Sequence, residues 1–88
     1  MTQVAISGLG SYVPEKILTN FDLEKLVDTS NEWIIERTGI LERRIASSLE
    51  SSSSMGSLAA KDALETAKLV PEEIDLIITA TCSPDGMF

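Results

Sequence analysis

At 88 residues, with 43% apolar and 24% charged side chains, the chain has the composition of folded globular sequence and the length of one small, marginally stable domain. A net charge of -7, with Lys and Arg scattered rather than clustered, excludes a nucleic-acid surface, because a phosphate backbone would be repelled. The apolar runs are far short of a bilayer span, and the first residues lack the basic and apolar regions of a secretory leader, so a cytoplasmic protein with no membrane partner is expected.

The elements follow in chain order. Val4-Ala5-Ile6-Ser7-Gly8-Leu9-Gly10 alternates β-branched, apolar and small residues and ends in glycines, which predicts a strand feeding a turn. Gly8 and Gly10 form a G-x-G, but without a third glycine and a following helix a turn explains them better than a phosphate loop. Ser11-Tyr12-Val13-Pro14 reads as a loop. Thr19 or Asn20 then caps a short helix through Val27, with Asp22 and Glu24 near its positive end.

A second helix is signalled by Thr29 with Glu32 three residues on, a capping-box spacing, with Ser30 as the alternative cap and Gly39 as a left-handed stop. Ile40 to Ala46 is expected to run extended. The serine-rich stretch Ser47 to Ser54 reads as a loop that caps the longest helix, predicted from Met55 to Lys68 with Met55, Leu58, Ala59, Leu64 and Ala67 near helical period. Pro71-Glu72-Glu73 makes a turn. Ile74 to Thr81 is an apolar, β-branched run predicted to be a buried parallel strand, which needs layers on both faces that 88 residues do not supply.

Few side chains can carry chemistry. Histidine, the commonest general base and metal ligand, is absent, and Cys82 is the single cysteine, so no intramolecular disulfide forms and a self-contained active site is not expected. Cys82 beside a core strand, with no histidine to activate it, reads as a small buried hydrophobe rather than a nucleophile. Glu72, Glu73 and Asp75 read as a solvated turn, not a metal site. Arg43 and Arg44 form a basic pair that would suit phosphate or an acidic partner, with a solvated strand edge as the blander reading.

Thr29, Trp33 and Arg37 fall at successive i, i+4 positions and share one helix face if Thr29 begins the helix. An indole beside a guanidinium can stack an adenine while the arginine offers donors to phosphate and a hydroxyl bonds a base edge. From spacing alone the favoured alternative is structural, with Trp33 packing, Arg37 pairing with a carboxylate and Thr29 merely capping.

The stretch from Gly8 to Ala46, with its GSYVPE turn, TNFDLE helix start and DTSNEWIIERTGI block, resembles the start of the 3-oxoacyl-[acyl-carrier-protein] synthase III family. The tail ITATCSPDGMF is similar to the same family's third strand. The resemblance implies a thiolase-like α/β fold in αβαβα layers, of which residues 1–88 would form the N-terminal part of the first half. It implies a homodimeric acyltransferase that loads an acyl group from acyl-CoA onto a cysteine and condenses it with malonyl-acyl-carrier-protein, releasing CO2 to begin fatty-acid synthesis. Coenzyme A enters as a thioester substrate, and no separate cofactor or metal is expected.

The resemblance also implies that Thr29, Trp33, Arg37 and Thr38 contact the nucleotide end of coenzyme A, which turns the preference toward a binding role. It places the nucleophilic cysteine and its histidine and asparagine partners beyond Phe88, so the 88 residues alone are expected to be catalytically inactive. Leu41, at a position often basic in the family, and Arg44, where histidine is frequent, depart from its pattern. Sister thiolase-fold synthases making hydroxymethylglutaryl-CoA or specialised ketides, and a non-catalytic module that binds coenzyme A or dimerises, are the alternatives.

Overall fold

The computed structural model describes residues 3–85, and these divide into two compact units. Gly86, Met87 and Phe88, which close the tail of the family resemblance, lie outside the described residues.

One unit is the continuous segment Val13–Leu49. Strand β1 (Lys16–Thr19) pairs antiparallel with β2 (Glu42–Ile45), with Lys16 opposite Ile45 and Thr19 opposite Glu42. Between them run helices α1 (Asn20–Glu24) and α2 (Asn31–Thr38). β2 matches the extended run expected after Gly39. β1 is not anticipated, since the sequence reading passes from the Ser11–Pro14 loop straight to the helix cap at Thr19 or Asn20. Their strand state comes from a ladder to residues more than 20 positions away, which no local pattern announces.

Helix α1 begins as its cap chemistry dictates. The Thr19 hydroxyl accepts from the Asp22 amide at 3.1 Å, and the Asp22 carboxylate accepts from the Thr19 amide at 2.9 Å, closing a reciprocal capping box. The helix ends at Glu24 rather than Val27 because the next amides, Lys25 and Leu26, bond three residues back, to Asp22 and Leu23, tightening the last turn. Helix α2 is capped by Ser30, whose hydroxyl accepts from the Trp33 amide at 3.2 Å, and not by Thr29. It stops at Gly39 in the left-handed region, φ 72°, where a side chain would be strained.

The core of this unit is small. Ile34 is its buried hydrophobic residue, 7% exposed, and Asn20 is fully enclosed.

The other unit joins the residues up to Tyr12 with those from Glu50 onward. Its centre is α3 (Ser52–Ala67), which starts three residues earlier than apolar periodicity suggested because Ser51 caps it and closes a capping box with Ser54. It ends on Lys68, held left-handed at φ 59° without being glycine. A 3-10 turn over Pro71–Glu73 follows, its Glu73 carboxylate accepting from the Val70 amide at 3.2 Å.

Two expectations fail in this unit for one reason. Residues 4–10 and 74–81 were predicted as strands, the second buried, yet neither enters a ladder; Val4, Ile6, Leu76, Ile77 and Ile78 are exposed, and so is Cys82. A strand is stabilised by neighbours on its edges and faces, and among the described residues none pairs with these runs.

The glycines that read as a turn have a different use. A Cβ on Gly10 would meet the Ala59 carbonyl oxygen and the Ala63 amide nitrogen at 2.3 Å, and one on Gly8 would meet the Ala63 carbonyl at 2.6 Å. Neither glycine has positive φ, so close backbone approach requires them here, not turn geometry. Ala59, Ala63 and Ala67 recur at i, i+4, i+8 and form the seam on which this segment lies. The Asp62 carboxylate accepts from the Ser11 amide at 3.1 Å, and the Tyr12 hydroxyl donates to Glu50, fixing the segment's far end.

Candidate functional site

Helix α2 divides its residues by spacing. Asn31, Ile34 and Thr38, at i, i+3, i+7, share the face that carries the buried Ile34, while Trp33 and Arg37, at i, i+4, share another that lies open to solvent. Trp33 is 53% exposed, an unusual state for the largest apolar side chain. The Arg37 guanidinium sits over its ring, 5.3 Å from the centroid, within cation-π range. Neither the burial nor the carboxylate pairing of the structural alternative describes this pair.

Thr29 precedes the Ser30 cap, so it does not extend the Trp33–Arg37 row by helical spacing as the sequence suggested. It still reaches the same place: Asp28, Thr29, Ser30 and Trp33 line a shallow concavity of about 300 Å³. An aromatic plane, two hydroxyls and a carboxylate thus converge on the N-terminal end of α2, and the Arg37 guanidinium lies against the same indole from the last turn. That set can stack a planar heterocycle, bond its edge groups and offer a cation to an anionic substituent.

Thr38 stands apart. Its hydroxyl donates to the Ile34 carbonyl at 2.7 Å and accepts from the Ile40 amide at 3.0 Å, closing the helix end. The basic pair is likewise occupied. Arg43 donates to the Leu18 carbonyl at 3.3 Å and to the Asn20 side-chain oxygen at 2.9 Å, and Arg44 donates to the Pro14 carbonyl at 2.8 Å.

The residue that sequence reasoning missed is Asn20. Considered only as a cap, it is the first residue of α1, and its side-chain amide donates to the Asn31 side chain at 2.9 Å and to the Ile40 carbonyl at 2.8 Å while accepting from Arg43. The Glu24 carboxylate adds a bond from the Asn31 amide at 2.7 Å. No periodicity reports a buried amide whose partners lie 11, 20 and 23 residues away.

Two carboxylates sit at helix starts. Hydrogen bonds from the Thr19 amide, then its hydroxyl, hold Asp22 below the ordinary 3.8. Bonds from the Ser53 hydroxyl, then its amide, do the same for Asp85 at the start of α3. Among the described residues, no group of His, Cys, Asp and Glu could hold a metal ion, and no helix is long and apolar enough to cross a membrane.

No protein-family model matches the chain. Among curated proteins, it is 61% identical over 83 residues to the beta-ketoacyl-[acyl-carrier-protein] synthase III of Caldanaerobacter subterraneus subsp. tengcongensis, covering 94% of this chain and 25% of that protein. It is 58% identical over 85 residues to the protein of that name from Campylobacter jejuni, covering 97% of this chain and 26% of that one. Among solved structures, 3-oxoacyl-[acyl-carrier-protein] synthase III from Aquifex aeolicus superposes with a TM-score of 0.89 at 59% identity, covering 94% of this chain and 27% of that one. The priming beta-ketosynthase of the R1128 polyketide pathway superposes with a TM-score of 0.77 at 38% identity, covering 90% of this chain and 25% of that one.

The chain therefore spans about a quarter of the length of the relatives it matches, and its backbone is part of the thiolase-like α/β fold they share. By sequence and by backbone alike, these 88 residues match about a quarter of the length of proteins named beta-ketoacyl-[acyl-carrier-protein] synthase III.

Proposed function

We propose that this chain supplies the nucleotide-end grip for coenzyme A in a condensing acyltransferase that joins an acyl-CoA starter to malonyl-acyl-carrier-protein with loss of CO2. The observation that carries the proposal is the Arg37 guanidinium stacked 5.3 Å over a solvent-facing Trp33 ring beside the concavity that Thr29 lines. An adenine stacks on the indole, the threonine hydroxyl bonds a base edge, and Arg37 donates to phosphate. Thr38 takes part in the grip indirectly, through the helix end it closes.

In this reading coenzyme A is the carrier of the substrate, with no further cofactor, and the whole enzyme is a cytoplasmic homodimer. The 88 residues contain no histidine and a single cysteine, exposed at Cys82, so on their own they bind the thioester without turning it over. Likeness to a priming ketosynthase of a polyketide pathway favours, as a second reading, a starter unit destined for a specialised ketide.

Isothermal titration of the chain with coenzyme A and with dephospho-coenzyme A tests the grip. We expect Trp33→Ala to abolish measurable binding and Arg37→Gln to remove the preference for the 3′-phosphate. Equal affinity for coenzyme A in the native chain and in Trp33→Ala would sink the proposal.

A further inference from the structure

We infer that Asn20 is the positioning residue for the Trp33–Arg37 face. This side chain is 0% exposed, and both N–H groups of its amide are spent on the two ends of α2. One donates to the Asn31 side chain, at the first residue of the helix, and the other to the Ile40 carbonyl, just past Gly39. Its oxygen accepts from Arg43 on β2, and its backbone amide donates to the Leu41 carbonyl at 3.1 Å.

A helix of eight residues is two turns long, too short to hold an orientation by its own length. Its apolar anchor is the single buried Ile34, and the Glu24 carboxylate holds only its first amide, which leaves the C-terminal end of the helix without a tether of its own. The Asn20 amide supplies that tether, bonding the first residue of the helix and a point just past its end. Trp33 and Arg37 face away from these bonds, so the direction in which the indole and guanidinium point is set by where Asn20 holds the helix ends.

Asparagine suits this position through its chemistry. Two donors and one acceptor are matched to a side-chain carbonyl, a backbone carbonyl and a guanidinium, leaving no buried polar atom unpaired. Aspartate has the same shape and keeps the Arg43 contact, but it cannot donate, and it sets a carboxylate against the Asn31 and Ile40 oxygens. The substitution thus cuts the tethers to α2 while sparing the bond to β2.

Trp33 is the only tryptophan, so its emission and acrylamide quenching report the orientation of α2 directly in the 88-residue chain, with no ligand present. The experiment compares the native chain with Asn20→Asp and with Asn31→Ala, the latter removing one tether at a half-buried position, each at a temperature where circular dichroism shows native helix content. We expect Trp33 quenching to change in both variants and coenzyme A affinity to fall about tenfold or more in each. Native quenching in a variant that retains helix would overturn the inference, because a merely structural role would lower the melting temperature and leave the folded Trp33 environment intact.

The affinity half rests on the coenzyme A reading above, and the two fail separately. If Trp33→Ala and the native chain bind coenzyme A alike, that reading falls while the quenching result still decides whether Asn20 orients α2. If Trp33→Ala loses binding but Asn20→Asp keeps native quenching and native affinity, the grip stands and Asn20 is not its positioning residue.

Discussion

The segment Val13–Leu49 pairs its two strands and encloses Ile34 and Asn20, although Phe21, Leu26 and Leu41 stay exposed, whereas the residues up to Tyr12 and those from Glu50 onward bury none of their described side chains and leave their most apolar stretches unpaired. In the first, a two-stranded ladder, a buried amide and the single buried Ile34 bring β1, α1, α2 and β2 together. In the second, α3 is well formed at both ends, yet Ile77 is 79% exposed and Ile78 85%. The difference shows which kinds of order 88 residues supply. Caps and short-range polar networks close within the chain, while a covered central strand depends on neighbours that these residues do not contain.

The largest expected effect separates two isoleucines by environment. Ile34→Ala should destabilise the chain by about 3 kcal/mol through lost burial and a cavity, while Ile78→Ser should stay within about 0.5 kcal/mol, as exposed substitutions usually do. Urea unfolding followed by Trp33 emission measures the first, and amide exchange along α3 over the same urea series measures the second. Equal costs would break the contrast between the regions.

Next in size is the close approach in the less complete region. Gly10→Ala pushes a methyl group against the Ala59 carbonyl and the Ala63 amide and should cost about 1–3 kcal/mol by overpacking, loosening residues 8–12 from α3. Amide exchange at Ser11, whose N–H bonds Asp62, is the readout, with faster exchange in the variant expected. A native rate would mean that the segment does not lie where the glycines allow it.

The smallest effect compares the two capped carboxylates. Both Asp22 and Asp85 are lowered below 3.8 by serine or threonine donors. A depressed folded-state value means that the stabilisation is fully present above about pH 4 and lost as pH falls through the lowered values. Carboxyl NMR titration should put both midpoints under 3.8. On acidification past them, exchange at the Ser53 amide should rise with Asp85 titration and at the Thr19 amide with Asp22 titration. An Asp85 midpoint at 3.8 with Asp22 depressed would make the α3 cap weaker than its geometry implies.

Much of the fold was legible because its signals are local. Serine and threonine marked helix starts, and Gly39 marked a stop, since each involves atoms within one turn. The choice between Thr29 and Ser30 as cap was not decidable from spacing, for both have the required chemistry. The candidate site was half legible: Trp33 and Arg37 are paired by i, i+4 geometry alone, whereas the convergence of Asp28 and Thr29 on Trp33 depends on a turn outside the helix.

What the sequence by itself determined, then, is the set of helices, the left-handed stop at Gly39 and the aromatic–cationic pair on α2, because helical contacts are made between residues three and four apart. What only the tertiary structure decided is which apolar runs become strands, why Gly8 and Gly10 are glycines, and that Asn20 ties both ends of α2. Ladder partners, backbone clearance and the donors and acceptors around a buried amide are all set by residues distant along the chain, and burial makes an unpaired amide too costly to leave unsatisfied.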